Sequence, residues 1–88
     1  MASFKIILKP SVEKDFRTLP KVMVERVFTH IQSLSENPYP PQAIKLENSE
    51  GLYRIRVGNY RIVYGVDKAM KLITIHYVRH RKEVCRGL

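Results

Sequence analysis

Eighty-eight residues, 44% apolar and 27% charged, are enough for one globular domain spanning residues 1–88, with room for one hydrophobic core. No apolar run approaches the ~20 residues that cross a bilayer, and residues 4–8 are too short for the apolar region of a signal peptide. A lone Cys85 and three scattered histidines make neither an internal disulfide nor a zinc pattern. The expectation is a cytoplasmic protein without metal or cofactor. The net charge of +8 is lopsided: residues 1–50 carry seven Lys and Arg against six Asp and Glu, and residues 51–88 carry nine against two. A phosphate-rich partner is the first expectation, an acidic protein segment the second and an anionic membrane a distant third.

Residues 3–9 read as a strand with Phe4, Ile6 and Leu8 on one face. Pro10 ends it and Ser11 offers a helix cap. Val12, Phe16 and Leu19 recur at i, i+4 and i+7, the stripe of a short amphipathic helix that Pro20 closes. Over residues 21–36 a second stripe follows, formed by Val24, Val27, Phe28, Ile31 and Leu34, with Met23 at its margin. Two helices so closely joined make an antiparallel hairpin. Asn37-Pro38-Tyr39-Pro40-Pro41 is a stiff extended loop, because three prolines remove donors and fix φ. Tyr39 is expected to pack over the end of the second helix. Lys45-Leu46 can extend briefly, and residues 47–51 are polar enough to turn.

The stretch Leu52-Tyr53-Arg54-Ile55-Arg56-Val57-Gly58-Asn59-Tyr60-Arg61-Ile62-Val63-Tyr64 reads as two strands around a tight primed turn at Gly58-Asn59. A two-residue loop pairs Val57 with Tyr60, Ile55 with Ile62 and Tyr53 with Tyr64, giving one apolar surface. The other surface sets Arg56 opposite Arg61, with Arg54 two residues along. Like charges directly opposite destabilise a sheet by roughly 0.2–1 kcal/mol, so that surface gains from an anion. A second turn at Asp67-Lys68-Ala69-Met70 pairs Val66 with Lys71, then Tyr64 with Ile73, Ile62 with Ile75 and Tyr60 with Tyr77. This register predicts a row of Arg56, Arg61 and His76, and puts Tyr53, Tyr60, Tyr64 and Tyr77 on the helix side. The expected architecture is α+β: an N-terminal strand, a two-helix hairpin and a three-strand antiparallel meander. Together they give one four-stranded, mostly antiparallel sheet with helices on one face and basic residues on the other.

Lys45-Leu46, the Leu52-to-Tyr64 stretch and Val78-Arg79-His80-Arg81 resemble the RelE toxins of bacterial and archaeal toxin–antitoxin pairs, within the RelE/ParE superfamily. The element order matches over nearly the whole chain, and the motif covers residues 45–85. The resemblance implies a RelE-like fold and the toxin of a type II pair: an mRNA interferase, that is, a ribosome-dependent endoribonuclease. It would cut mRNA in the ribosomal A site by 2′-hydroxyl attack on the adjacent phosphate, without a metal, and so inhibit translation. The partners implied are a cognate RelB-like antitoxin with an acidic amphipathic segment, the ribosome and mRNA, and no membrane. The family's functional basic side chains fall on Arg54, Arg56, Arg61 and Arg81. The family often has lysine at the first two of these positions; arginine there stays protonated and cannot act as a base. Cys85 stands where the family commonly has a tyrosine.

Such cleavage needs a base for the 2′-hydroxyl, positive charge for the transition state and an acid for the leaving oxygen. Arg61 and Arg81, then Arg56, are the first choices for charge. Arg54, Arg56, Arg79, Lys82 and Arg86 are candidates to grip the RNA backbone. His76, through its predicted place beside Arg61, and His80, through its place in the basic turn, are candidates for proton transfer. Cys85, beside Arg81, Lys82 and Arg86, is the possible replacement for the family tyrosine. Two other readings are a ParE-like inhibitor of DNA gyrase and a basic RNA-binding module without activity.

Overall fold

The computed structural model describes residues 3–46 and 51–80. Strand β1 (Lys5–Leu8) leads into Pro10, which opens helix α1 (Pro10–Thr18) at a position where its missing N–H costs no hydrogen bond. Ser11 does not cap this helix; its hydroxyl donates to the His76 carbonyl at 2.6 Å. Helix α2 (Lys21–Leu34) follows after Leu19 and Pro20. Val12, Leu19, Val27, Ile31 and Leu34 are buried, whereas Phe28 lies at the edge of the helical stripe and is 42% exposed.

The remaining strands are β2 (Ile44–Lys45), β3 (Leu52–Val57), β4 (Tyr60–Asp67) and β5 (Leu72–His80). They form a five-stranded sheet in the order β1-β5-β4-β3-β2, with β1 parallel to β5 and the other pairs antiparallel. The strand beyond the four expected is the two-residue β2, laid against β3 at the edge. The fold is thus α+β with a mixed sheet. Ile55, Val57, Ile62, Tyr64, Ile73, Ile75 and Val78 meet the buried helical residues in one core. Each such apolar side chain contributes about 1.5–3 kcal/mol when fully buried.

Tyr64 anchors the proline loop to this core. Its hydroxyl donates to the Pro38 carbonyl at 2.8 Å, and its ring stacks on Tyr53 with centroids 5.8 Å apart. Burial, reinforced by Tyr53 and Tyr39, pushes the Tyr64 phenol far above its ordinary range. Tyr39 meets Tyr53 edge-on at 5.1 Å, with the Lys68 ammonium 5.4 Å from its own ring centroid. It therefore packs against β3, and the β4–β5 turn also reaches it.

The β3–β4 pairing is as the side-chain pattern predicts, from Val57 opposite Tyr60 to Tyr53 opposite Tyr64. Gly58 takes φ +60°, which suits the first position of a two-residue primed turn. The β4–β5 pairing differs. Asp67, not Val66, closes the turn, opposite Leu72, and its carboxylate accepts the Met70 N–H at 3.1 Å. Tyr64 consequently pairs with Ile75, two residues beyond the predicted partner. A bulge then intervenes, since Val63 pairs with Tyr77 and leaves His76 as the extra residue.

The bulge lies where β5 outlasts its other neighbour. The Lys9 N–H donates to the Ile75 carbonyl at 3.2 Å as the chain leaves β1. Beyond it, side chains of α1 satisfy the backbone of β5: Ser11 donates to the His76 carbonyl, and the Asp15 carboxylate accepts the Val78 N–H at 2.9 Å.

Candidate nucleic-acid interface

The face of the sheet away from the helices follows from alternation along the strands. Ile55, Ile62 and Val78 point into the core, so Arg56, Arg61 and Arg79 point outward. Direct pairing aligns these three arginines on β3, β4 and β5, with adjacent strands about 4.8 Å apart. Arg54, Val63 and Tyr77 form the next row along. Val63 is only 4% exposed yet stands outside the helix-side core, so a small apolar patch lies among the arginines.

Two of the guanidinium groups have defined neighbours. Arg56 donates through Nε to the Gly58 carbonyl at 3.3 Å, which turns it toward the hairpin tip. Arg79 lies over the Tyr77 ring, its Cζ 4.6 Å from the centroid. Among the described residues no carboxylate pairs with Arg56, Arg61 or Arg79. The row is a line of positive charge facing solvent.

The histidines stand elsewhere. His76 is the bulged residue and is not beside Arg61, whose partner is Arg79. His76 stands three positions before Arg79 along β5, about 10 Å of strand. Its Nε2 would lie 3.2 Å from a Cβ placed on Gly65, so glycine at that position makes room for the ring. It lines a groove of about 310 Å³ with Lys9, Asp67, Leu72 and Thr74. Burial, and secondarily the Lys9 ammonium, hold its pKa below the ordinary 6.5. His80 has crossed to the helix side, where its ring meets Tyr60 edge-on at 5.3 Å. There it lines a groove of about 290 Å³ with Asp15, Thr18 and Leu19.

Tyr77 is the converse case. The unbroken alternation assumed from the sequence puts it in the core; the bulge turns it onto the arginine face opposite Val63. The signal was present in Tyr77-Val78-Arg79: a helix-facing Tyr77 would draw Arg79 under the helices with it, and a bulge removes that conflict. Arg54, Arg56, Arg61 and Arg79 thus share one face. Arg81, Lys82, Cys85 and Arg86 lie outside the described residues.

The model of the ParE toxin family of the type II toxin–antitoxin system, parDE, matches residues 6–85. The chain belongs to the RelE/ParE superfamily of type II toxins. A chain of the archaeal RelE–RelB complex from Pyrococcus horikoshii is 31% identical, with a TM-score of 0.81 over 90% of this chain and 96% of that one. A chain of the RelB–RelE antitoxin–toxin complex from Methanococcus jannaschii is 25% identical, with a TM-score of 0.78 over 93% and 98% respectively. The toxin candidate RelE1 of Methanocaldococcus jannaschii is 28% identical over 82 residues, covering 90% of this chain and 91% of its own. The RelE-like fold and membership of the toxin superfamily, both implied by the residues at 45–85, are thereby established.

Proposed function

We propose that this RelE/ParE toxin is a ribosome-dependent endoribonuclease that cuts mRNA in the A site. The observation that carries the reading is the solvent-facing row of Arg56, Arg61 and Arg79, aligned by the strand pairing and free of carboxylate partners among the described residues. In the reaction the RNA 2′-oxygen bonds to the adjacent phosphorus and the bond from phosphorus to the 5′-oxygen breaks. The products are a 2′,3′-cyclic phosphate and a 5′-hydroxyl; one proton leaves the 2′-hydroxyl and one reaches the departing oxygen. Negative charge accumulates on the phosphoryl oxygens at the transition state. Fixed guanidinium groups lower that barrier without reorganising, often the largest contribution in such a site.

Arg61 and Arg56, with Arg81, are assigned to this charge. Arg54, Arg79, Lys82 and Arg86 grip the RNA backbone, which positions without reading sequence. Arginine stays protonated and His80 faces the helices, so proton transfer falls to another group; Cys85, four residues beyond Arg81 in the chain, is the candidate. We further propose a RelB-like antitoxin partner, by analogy with the two archaeal complexes. Its acidic segment would complement a charge of +8. A cytoplasmic location follows from a ribosomal target; no described helix is long and apolar enough to cross a membrane.

A second reading is favoured by the ParE description of the matching family model: inhibition of DNA gyrase without RNA cleavage. A reconstituted translation reaction, with mRNA 3′ ends mapped at the A-site codon, and a gyrase supercoiling assay separate the two. Cleavage with unaltered supercoiling is expected. Inhibited supercoiling with intact mRNA would replace the nuclease reading with the gyrase one.

A further inference from the structure

The β5 bulge does more than displace His76. It puts Tyr77 and Arg79, two residues apart, on the same outward face beside Arg61. Tyr77 is half-buried and Arg79 exposed, and the guanidinium lies 4.6 Å from the ring centroid. The stack therefore has an order, with ring below, guanidinium above and solvent beyond. A guanidinium is planar, with its N–H groups pointing outward within that plane, so a group that packs on a ring by one face keeps the other face for a second planar partner. Arg61, directly across on β4, is one strand spacing away.

We infer that Tyr77 and Arg79 form a base-binding shelf, on which the nucleobase next to the phosphate held by Arg56 and Arg61 stacks on the guanidinium supported by the Tyr77 ring. This assignment rests on the RNA-cleavage reading for its ligand and adds a second kind of recognition to the same face. Single-stranded RNA offers unstacked bases, and proteins hold them on aromatic rings and on guanidinium planes. A row that only collects charge has no need to lay one of its arginines over a ring. Tyr77 is in these terms a positioning residue: its ring holds the Arg79 guanidinium, 4.6 Å from the centroid, against the like charge of Arg61. The bulge places that ring, and re-aiming of a side chain by a bulge is frequent beside functional sites.

The test uses uncleavable single strands, read off the ribosome by fluorescence anisotropy. A 2′-O-methyl hexanucleotide is compared with an abasic hexamer carrying the same number of phosphates. The wild-type protein is expected to favour the base-bearing strand by about tenfold, the effect of stacking one base. Tyr77→Phe keeps the ring and should keep the ratio. Tyr77→Leu and Arg79→Lys should bring it close to one, and Arg61→Ala should weaken both strands alike. Arg79→Lys conserves charge at an exposed position, so it decides the matter even if Tyr77→Leu fails to fold.

Equal binding of the two strands by the wild-type protein overturns the proposal, as does a ratio unchanged by Arg79→Lys. Either result leaves a face that takes any polyanion, an acidic protein segment included. No step depends on cleavage. An intact ratio with no A-site product would discard the nuclease and keep the shelf; A-site product with a ratio of one would do the reverse.

Discussion

Arg61 and Arg79 stand directly opposite each other on β4 and β5, and Arg56 flanks Arg61 on the other side. Three like charges in a line oppose the pairing that aligns them, by roughly 0.2–1 kcal/mol for each adjacent pair. The apolar residues beneath hold the strands together regardless: Ile55, Ile62 and Val78 are each at most 1% exposed. The fold tolerates the row, and a bound anion relieves it.

Arg61→Ala should therefore separate activity from stability. A-site cleavage is expected to fall by at least about 10²-fold, the usual consequence of removing one donor to a developing anion. The midpoint of urea unfolding should stay the same or rise. If cleavage and stability drop together, Arg61 supports the fold and not the reaction. Arg81→Ala, expressed at an equal level, should likewise abolish growth arrest.

Asp15→Ala tests how the bulge is held. The substitution removes the acceptor for the Val78 N–H, on a residue only 1% exposed. Leaving such a donor unpaired costs about 1–3 kcal/mol. Urea denaturation measures the loss, and amide exchange should accelerate most at Val78. Unchanged protection there would show that the Asp15 contact contributes nothing to the bulge.

His76 gives the folded protein a distinct acid response. Burial and Lys9 keep its pKa below the ordinary 6.5, so the unfolded chain takes up this proton first. The stability contribution is complete above about pH 6.5 and is lost as pH falls through the folded-state value. His76→Gln should flatten that limb of the stability profile without altering the cleavage rate at pH 7. An NMR titration midpoint at or above 6.5 for the wild-type imidazole would contradict the assignment.

The helices and the β3–β4 hairpin were legible because their patterns have only one consistent reading. Val12 and Leu19 mark the buried face of α1, and any one-residue shift between β3 and β4 would mix Ile62 with the arginines. The β4–β5 register escaped because a two-residue slip preserves every face. Tyr64 meets an isoleucine whether Ile73 or Ile75 stands opposite, so apolar matching cannot distinguish them. The Asp67 carboxylate and a left-handed Lys71 at φ +54° settle the turn instead. The positions of His76, Tyr77 and His80 depended on the bulge, which is held from another element by Ser11 and Asp15. Those contacts are more than 60 residues apart in sequence, and local periodicity carries no trace of them.

The arginine row also limits how this surface can vary. Its members sit on three adjacent strands, so backbone hydrogen bonding fixes the interval between their Cβ atoms whatever side chains they carry. Lysine at 54 or 56 would change the acid–base character of that point and leave its coordinates where they are. Related chains can exchange chemistry at one position without disturbing the footing of the next. Altering the interval itself would require breaking the sheet.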